Sequence, residues 1–257
     1  MFDEQIGREY MVFQSGSSEG AQVKYRKGPY WYKKDNQGRE GLAEYLASGL
    51  LRFSDLEPDE YVIYEQGLIN GKPGCRSRDF LGKEDSIVTF YRLYYNEFGR
   101  NLSEVIAGMD TMEERIEYVL RFIRRTCGID VRDYLKKVLT LDMLILNEDR
   151  HLNNLAVVYR ENGFAPAPIF DNGVSLLTAN RSVNWNFPVE ENVKRVIARP
   201  FAGSHEKMAA YLGTGFQLDL DGCRRWLRQE EDSREKEVLL HQLKRYEELF
   251  HTGNGGE

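Results

Sequence analysis

The period of apolar positions changes once along this chain. Up to residue 80, short apolar runs sit between turn-forming residues. Met11-Val12-Phe13 is one such run, followed by the small-residue stretch Ser15-Gly16-Ser17-Ser18-Glu19-Gly20. Val23-Lys24-Tyr25 and Tyr30-Trp31-Tyr32 flank Gly28-Pro29, a pattern that predicts a hairpin. Asp35-Asn36-Gln37-Gly38 breaks the second strand. From residue 40 to 53, Leu42, Ala43, Leu46, Leu50 and Phe53 recur at helical spacing. Two further strands are expected at 60–65 and 74–80, around an Asn70-Gly71 turn.

Beyond that point the helical period dominates. Ile116, Val119, Leu120 and Ile123 share one face of a helix over 113–127, which Gly128 ends. A second apolar helix is expected over 130–146. Strand-like segments follow at 155–159 and at Ile169-Phe170. Charged amphipathic helices are expected at 220–228 and 233–250, their charges forming a solvated face. The fold class is therefore α+β with two lobes. A β-rich lobe covers 1–82, a helical lobe 83–250, and a flexible tail 251–257. A cleft between lobes is a common ligand site.

Composition narrows the function. The chain has 257 residues, with 35 Lys+Arg against 41 Asp+Glu and a net charge of −6, which disfavours a general nucleic-acid binder. A hydrophobic content of 41% excludes a disordered chain. Cys75, Cys127 and Cys223 are far apart and form no C-x-x-C pair, which fits a reducing compartment. The N-terminal Met1-Phe2-Asp3-Glu4-Gln5 carries acids where a signal peptide needs bases, and no apolar run approaches the roughly 18 residues of a membrane span. The expected location is the cytoplasm.

Two short stretches carry the chemistry. The first is Asn147-Glu148-Asp149-Arg150-His151-Leu152-Asn153-Asn154, and the second is Ile169-Phe170-Asp171-Asn172-Gly173. An Asp and an Asn five residues apart, on the loop after a buried helix, point two oxygens into one small volume. A second Asp follows a short strand and precedes a sharply turning Asn-Gly pair. Mg²⁺ takes hard oxygen ligands and shares them with substrate phosphates, a role that suits Asn154 and Asp171. Asp149 is then free to orient an attacking hydroxyl and accept its proton. Read singly, each stretch is also compatible with a turn or a cap. His151 suits a structural bond within the loop or to the Asp171 strand better than a role as base.

The order Asp149-Arg150-His151, with Asn154 and a downstream Asp171, resembles the catalytic loop of phosphoinositide-type kinases and of the HipA-like bacterial Ser/Thr kinases. The chain's small size and helical C-terminal half most resemble the compact, CtkA-like members of the latter group. The resemblance spans roughly residues 14–250 and is sharp only at 149–154 and 171–173. It implies a two-lobed protein-kinase-like fold using ATP and Mg²⁺ to phosphorylate protein Ser/Thr, with autophosphorylation. It also implies a strand lysine for the phosphates and a helix glutamate to orient it. Lys33 is the chosen lysine, since strand alternation sends Lys34 to the other face. Glu44 is preferred to Glu40 because its neighbours Ala43 and Leu46 are apolar.

By the same resemblance Ser17, Ser18 and Gly20 belong to a phosphate-covering loop, and Ser15, Ser17 or Ser18 becomes a candidate for regulatory phosphorylation. Phe80 and Leu81 belong to a hinge whose backbone would bind adenine. Two residues depart from kinase patterns: Asn172 stands where many kinases have Phe, and Trp31 is large for a residue facing adenine. Residues 178–215, including Arg199-Pro200-Phe201, are expected to cover the acceptor side. The alternatives are a small-molecule or lipid kinase on the same scaffold, and a pseudokinase or scaffold that binds ATP without turnover. HipA toxins carry a further N-terminal subdomain that this sequence is expected to lack. Neither toxin function nor an antitoxin partner is therefore carried over, and the expected partner is a protein substrate.

Overall fold

The computed structural model describes residues 1–12 and 22–250. A six-stranded sheet fills the first part of the chain. Its strands are β1 (Phe2–Glu4), β2 (Met11–Val12), β3 (Lys24–Lys27), β4 (Tyr30–Lys34), β5 (Tyr64–Ile69) and β6 (Lys72–Arg78), in the order β1-β5-β6-β4-β3-β2. Only β1 pairs in parallel, with β5. Gly28-Pro29 is the two-residue connection between β3 and β4, where Lys27 pairs with Tyr30.

The strand expected at 60–65 lies further along, at Tyr64–Ile69. Asn70 and Gly71 both have positive φ, 54° and 71°, as a two-residue hairpin turn of the primed type requires. Such a turn demands that the strands meet it directly, so β5 runs up to Ile69 and β6 begins at Lys72. Residues before β5 dock elsewhere: Tyr61 forms a single parallel bridge with Ile169, and the Val62 amide donates to the Ile169 carbonyl at 2.9 Å. The expected strand at Ile169-Phe170 is thus only that bridge.

Helix α1 (Glu40–Leu51) joins the sheet to the helical part. The Gly41 position faces Gly74 of β6, where an added Cβ would lie 2.6 Å from the backbone, so the helix start can sit close against the sheet. Further along α1, Ala43, Leu46, Ala47 and Leu50 are buried in the large core of the helical part. The Ser48 hydroxyl accepts the Tyr64 amide at 3.1 Å, fixing α1 to β5.

A second sheet, β7 (Ser86–Thr89), β8 (Ala156–Arg160) and β9 (Gly163–Pro166), lies within the helical part. Helices α2 (Phe90–Phe98) and α3 (Leu102–Ala107) precede α4 (Met112–Cys127), which opens with a Thr111/Glu114 capping box and closes on Gly128. Helix α5 (Arg132–Ile145) is the centre of the core, burying Leu135, Val138, Leu139, Leu141, Leu144 and Ile145. Helices α6 (Val189–Val193), α7 (His205–Leu212), α8 (Leu220–Gln229), α9 (Arg234–Arg245) and α10 (Glu247–Phe250) complete the described chain. The single helix expected over 233–250 is interrupted at Tyr246. No helix among the described residues is long and apolar enough to cross a membrane. Ser15, Ser17, Ser18 and Gly20 lie outside the described residues, as does the tail 251–257.

Candidate active site

Strand β4 alternates between its two faces. Tyr32 packs with Phe2, Tyr25 and Ile69, so Trp31 and Lys33 project from the opposite face, toward the helical part. The Lys33 ammonium donates to Glu44 Oε1 at 2.6 Å and to Asp171 Oδ1 at 2.6 Å, and it lies 5.1 Å from the centre of the Tyr64 ring. Burial would lower the Lys33 pKa, but Asp171 and then Glu44 outweigh it and hold the ammonium well above its ordinary value. Burial would likewise raise Asp171, but Lys33 and then Lys24 reverse this and keep it well below the usual carboxylate range. Glu44 is raised by burial despite Lys33. Its second oxygen accepts the Asn172 amide at 2.8 Å, so a single glutamate ties α1 to both the lysine and the Asp171 turn. Glu40 has a different task, accepting the amides of Asn36, Gln37 and Gly38.

The second half of the site hangs on a buried arginine. Arg150 and Asp142, on the last turn of α5, are both fully buried, with Arg150 Nε 2.9 Å from Asp142 Oδ2. The remaining guanidinium donors reach the Phe170 carbonyl at 2.8 Å, Asn172 Oδ1 at 2.7 Å and the Asn154 carbonyl at 3.2 Å. A single side chain therefore holds both sequence stretches together. Asn147 Nδ2 also donates to Asp142, and its Oδ1 accepts the Asp149 amide at 3.0 Å. Asp171 itself sits at φ 59°, a left-handed conformation that a non-glycine residue adopts at a cost of about 1–3 kcal/mol. Its own bond to Lys33, and the bonds of Arg150 and Glu44 to the flanking Phe170 and Asn172, hold it there.

Asp149 carries a half-buried carboxylate, 3.7 Å from His151 Nε2. Its pKa is raised by burial, with His151 opposing and Asp171 adding to the rise. Asn154 Nδ2 donates to the Asp149 carbonyl at 3.0 Å, which leaves Asn154 Oδ1 as an acceptor. Asn154 and Asp171 both line the polar compartment, and their free oxygens are hard donors of the kind Mg²⁺ shares with phosphate.

These residues line a cleft with two compartments. The polar one, about 290 Å³, contains Asp149, His151, Asn154, Asp171, Lys24 and Arg199. The apolar one, about 150 Å³, is walled by Trp31, Val62, Phe80, Leu81, Ile87 and Phe170. Asp171 and Lys24 line both compartments, which makes them neighbours.

Lys33, Glu44, Asp149, Asn154 and Asp171 are thus brought together, and Phe80 and Leu81 form the apolar wall. The hinge amides already have partners, since Leu81 N–H donates to Asp79 Oδ1 and Gly82 N–H to Asp85 Oδ2. His151 makes its contact with Asp149 and not with the Asp171 strand. Three residues escaped the sequence reading. Lys24 is directly opposite Lys33 across the β3–β4 pair and so shares its face, a position readable from the hairpin register. Arg150 stands within the first chemical stretch, but nothing in the sequence pairs it with Asp142 or marks the two as buried.

No protein-family model matches the chain, and no curated protein matches it. Among solved structures, the crystal structure of a Helicobacter pylori proinflammatory kinase, CtkA, is similar with a TM-score of 0.65. The likeness covers 96% of this chain and 92% of that one at 17% identity. A Shewanella oneidensis HipA, solved with HipB and operator DNA, aligns with 93% of this chain and 57% of its own at 14% identity. Its TM-score is 0.46. The first likeness gives this chain a kinase-like α+β fold.

Proposed function

We propose that this chain is an ATP- and Mg²⁺-dependent phosphotransferase that phosphorylates serine or threonine hydroxyls of proteins, itself included. The observation that supports this most directly is the convergence of Lys33, held by Glu44, on Asp171 where the apolar compartment of the cleft meets the polar one that holds Asp149 and Asn154. A nucleotide matches that division, with its base in the apolar compartment and its phosphates in the polar one. On this reading the two lobes divide at residue 82, beside the apolar wall formed by Phe80 and Leu81.

Lys33, held in line by Glu44, would neutralise the nucleotide phosphates, and Lys24 would add a second cation from the neighbouring strand. Asn154 and Asp171 would hold Mg²⁺, which supplies further neutralisation of phosphate charge when bound. Asp149 would orient the acceptor hydroxyl. As the acceptor oxygen bonds to the γ-phosphorus and the bond to the β-phosphate oxygen breaks, the hydroxyl proton passes to the Asp149 carboxylate and ADP leaves. Its raised pKa favours a carboxylate that can accept a proton. Most of the acceleration would come from positioning and charge neutralisation.

Intact-mass measurement after phosphatase treatment and incubation with Mg²⁺-ATP tests this reading. Wild type should gain phosphate. Asp149→Ala should lose transfer by about 10²–10⁴-fold while keeping nucleotide binding. Asp171→Ala should lose metal-dependent nucleotide binding as well. Undiminished transfer in Asp149→Ala, or no binding of Mg²⁺-ATP by wild type, would overturn the assignment.

A further inference from the structure

Among the described residues, Arg199 is a cation at the polar compartment with no ion-pair partner. It lines the same space as Asp149 and Asn154, and its charge acts on both Asp149 and Glu148. The segment around it is fixed. Glu148 accepts a hydrogen bond from the Ile197 amide and another from Asn180 Nδ2 at 2.7 Å. The Ala198 amide donates to the Gly203 carbonyl at 3.2 Å, Phe201 is fully buried, and its carbonyl accepts from Arg115 at 3.0 Å. Ala198 is buried while Ile197, 66% exposed, and Arg199 face outward. A short anchored segment therefore presents the Arg199 side chain to the compartment that holds the carboxylate that would orient the acceptor.

The walls of the compartment divide the work. Lys24 lines it from the sheet, opposite Lys33 on the adjacent strand, on the nucleotide side. Arg199 belongs to the opposite, helical wall, next to Glu148 and Asp149, where the acceptor has to approach. A guanidinium presents a planar fork that fits a carboxylate or phosphate in two parallel bonds. Held by a rigid backbone, it loses little freedom on engaging one.

We propose that Arg199 is the acceptor-selecting residue: it recognises an anionic group beside the accepting hydroxyl, a carboxylate or a phosphate. This inference rests on the phosphotransferase reading above. It gives the acceptor a chemistry, a serine or threonine flanked by acid.

The test measures kcat and KM on serine peptides whose flanking position is Asp, phosphoserine, Ala or Lys. Wild type should favour the Asp or phosphoserine peptide over the Ala peptide by about fivefold or more, through KM. The larger of those two rates identifies the carboxylate or the phosphate as the preferred group. Arg199→Ala should bring the ratio to about one. Arg199→Glu should turn the preference toward the Lys peptide. An unchanged ratio in both variants would overturn the proposal. So would an equal fall on every peptide, which would assign Arg199 to the transferred phosphoryl group. A wild type that phosphorylates itself but none of the peptides would also overturn it, and would leave the phosphotransferase reading intact. A wild type that neither binds Mg²⁺-ATP nor gains phosphate would remove both.

Discussion

The two ends of the cleft are built on different physics. At the polar end a chain of directional bonds crosses the molecule. It runs from Lys33 of the sheet to Glu44 of α1, to the Asn172 amide, through the Asn172 side chain to Arg150, and on to Asp142 at the core of the helical part. At the apolar end the walls touch without direction, as where Phe80 and Phe170 pack with ring centres 6.1 Å apart. Each polar member holds at least two others in place, so the loss of one reaches the rest. An apolar wall residue can be trimmed and its neighbours keep their own contacts.

The largest effect that would break this contrast is expected at Arg150. Arg150→Met removes the cation and leaves the Asp142 carboxylate buried and uncompensated, at a cost of about 3–5 kcal/mol. Denaturant unfolding reads this directly, and nucleotide binding should fall with it because Asn172 and the Phe170 carbonyl lose their common donor. The double variant Arg150→Met with Asp142→Leu should recover part of the stability, since it removes both buried charges but leaves Asn172, Asn147 and the Phe170 carbonyl without their partners. A single-variant cost under about 1 kcal/mol would mean that the polar end is as tolerant as the apolar one.

A smaller effect separates the two ends by ligand. Trp31 walls the apolar compartment while Lys24 lines the polar one and the boundary between them. Trp31→Ala should weaken adenosine and ATP by the same factor, about three- to tenfold, which is the loss of part of one aromatic contact. Lys24→Ala should weaken ATP and leave adenosine unchanged. Calorimetric titration of both ligands against both variants gives four numbers. If Lys24→Ala weakened adenosine as much as ATP, the division of the cleft would be wrong.

The same contrast explains what the sequence could reveal. Asp149, Asn154 and Asp171 are legible because their spacing lies within two short stretches whose geometry is local. Lys33 and Glu44 follow from the strand and helix periods, once a lysine and a glutamate are sought. Lys24 needed one more step, the register that sets it opposite Lys33. The pairing of Arg150 with Asp142 is not legible, because nothing local ties a loop arginine to a helix aspartate unless the packing that buries both is known. In the fold, the Asn70-Gly71 turn is legible from its dipeptide, but the strand leading into it lies four residues further along than its apolar run suggests. Residues 60–63 look like a strand and are claimed instead by the Ile169 segment. The parallel pairing of β1 with β5 joins segments over 60 residues apart, and no local period announces it.

The smallest expected effect sharpens the comparison within one residue type. Lysines draw Asp171 down, whereas Asp35, on the loop between β4 and α1, is pushed up to about 6 by burial, with the Gly41 amide opposing and Glu40 adding to the rise. The folded chain therefore holds the Asp35 proton more tightly than the unfolded chain does. Its contribution to stability is complete below about pH 4 and is lost as the pH rises through about 6. Asp35 is partly open to solvent, so screening reduces the effect to about 1 kcal/mol. Asp35→Asn keeps an oxygen for the Gly41 amide, which Asp35 Oδ1 accepts at 2.7 Å, and removes the titration. Unfolding free energies measured from pH 4 to 7 should fall in wild type by about 1 kcal/mol more than in Asp35→Asn. Parallel curves would mean that the carboxylate at the start of α1 is as well paired as Asp171, and that the polar network extends one turn further than the bonds to Lys33 and Arg150.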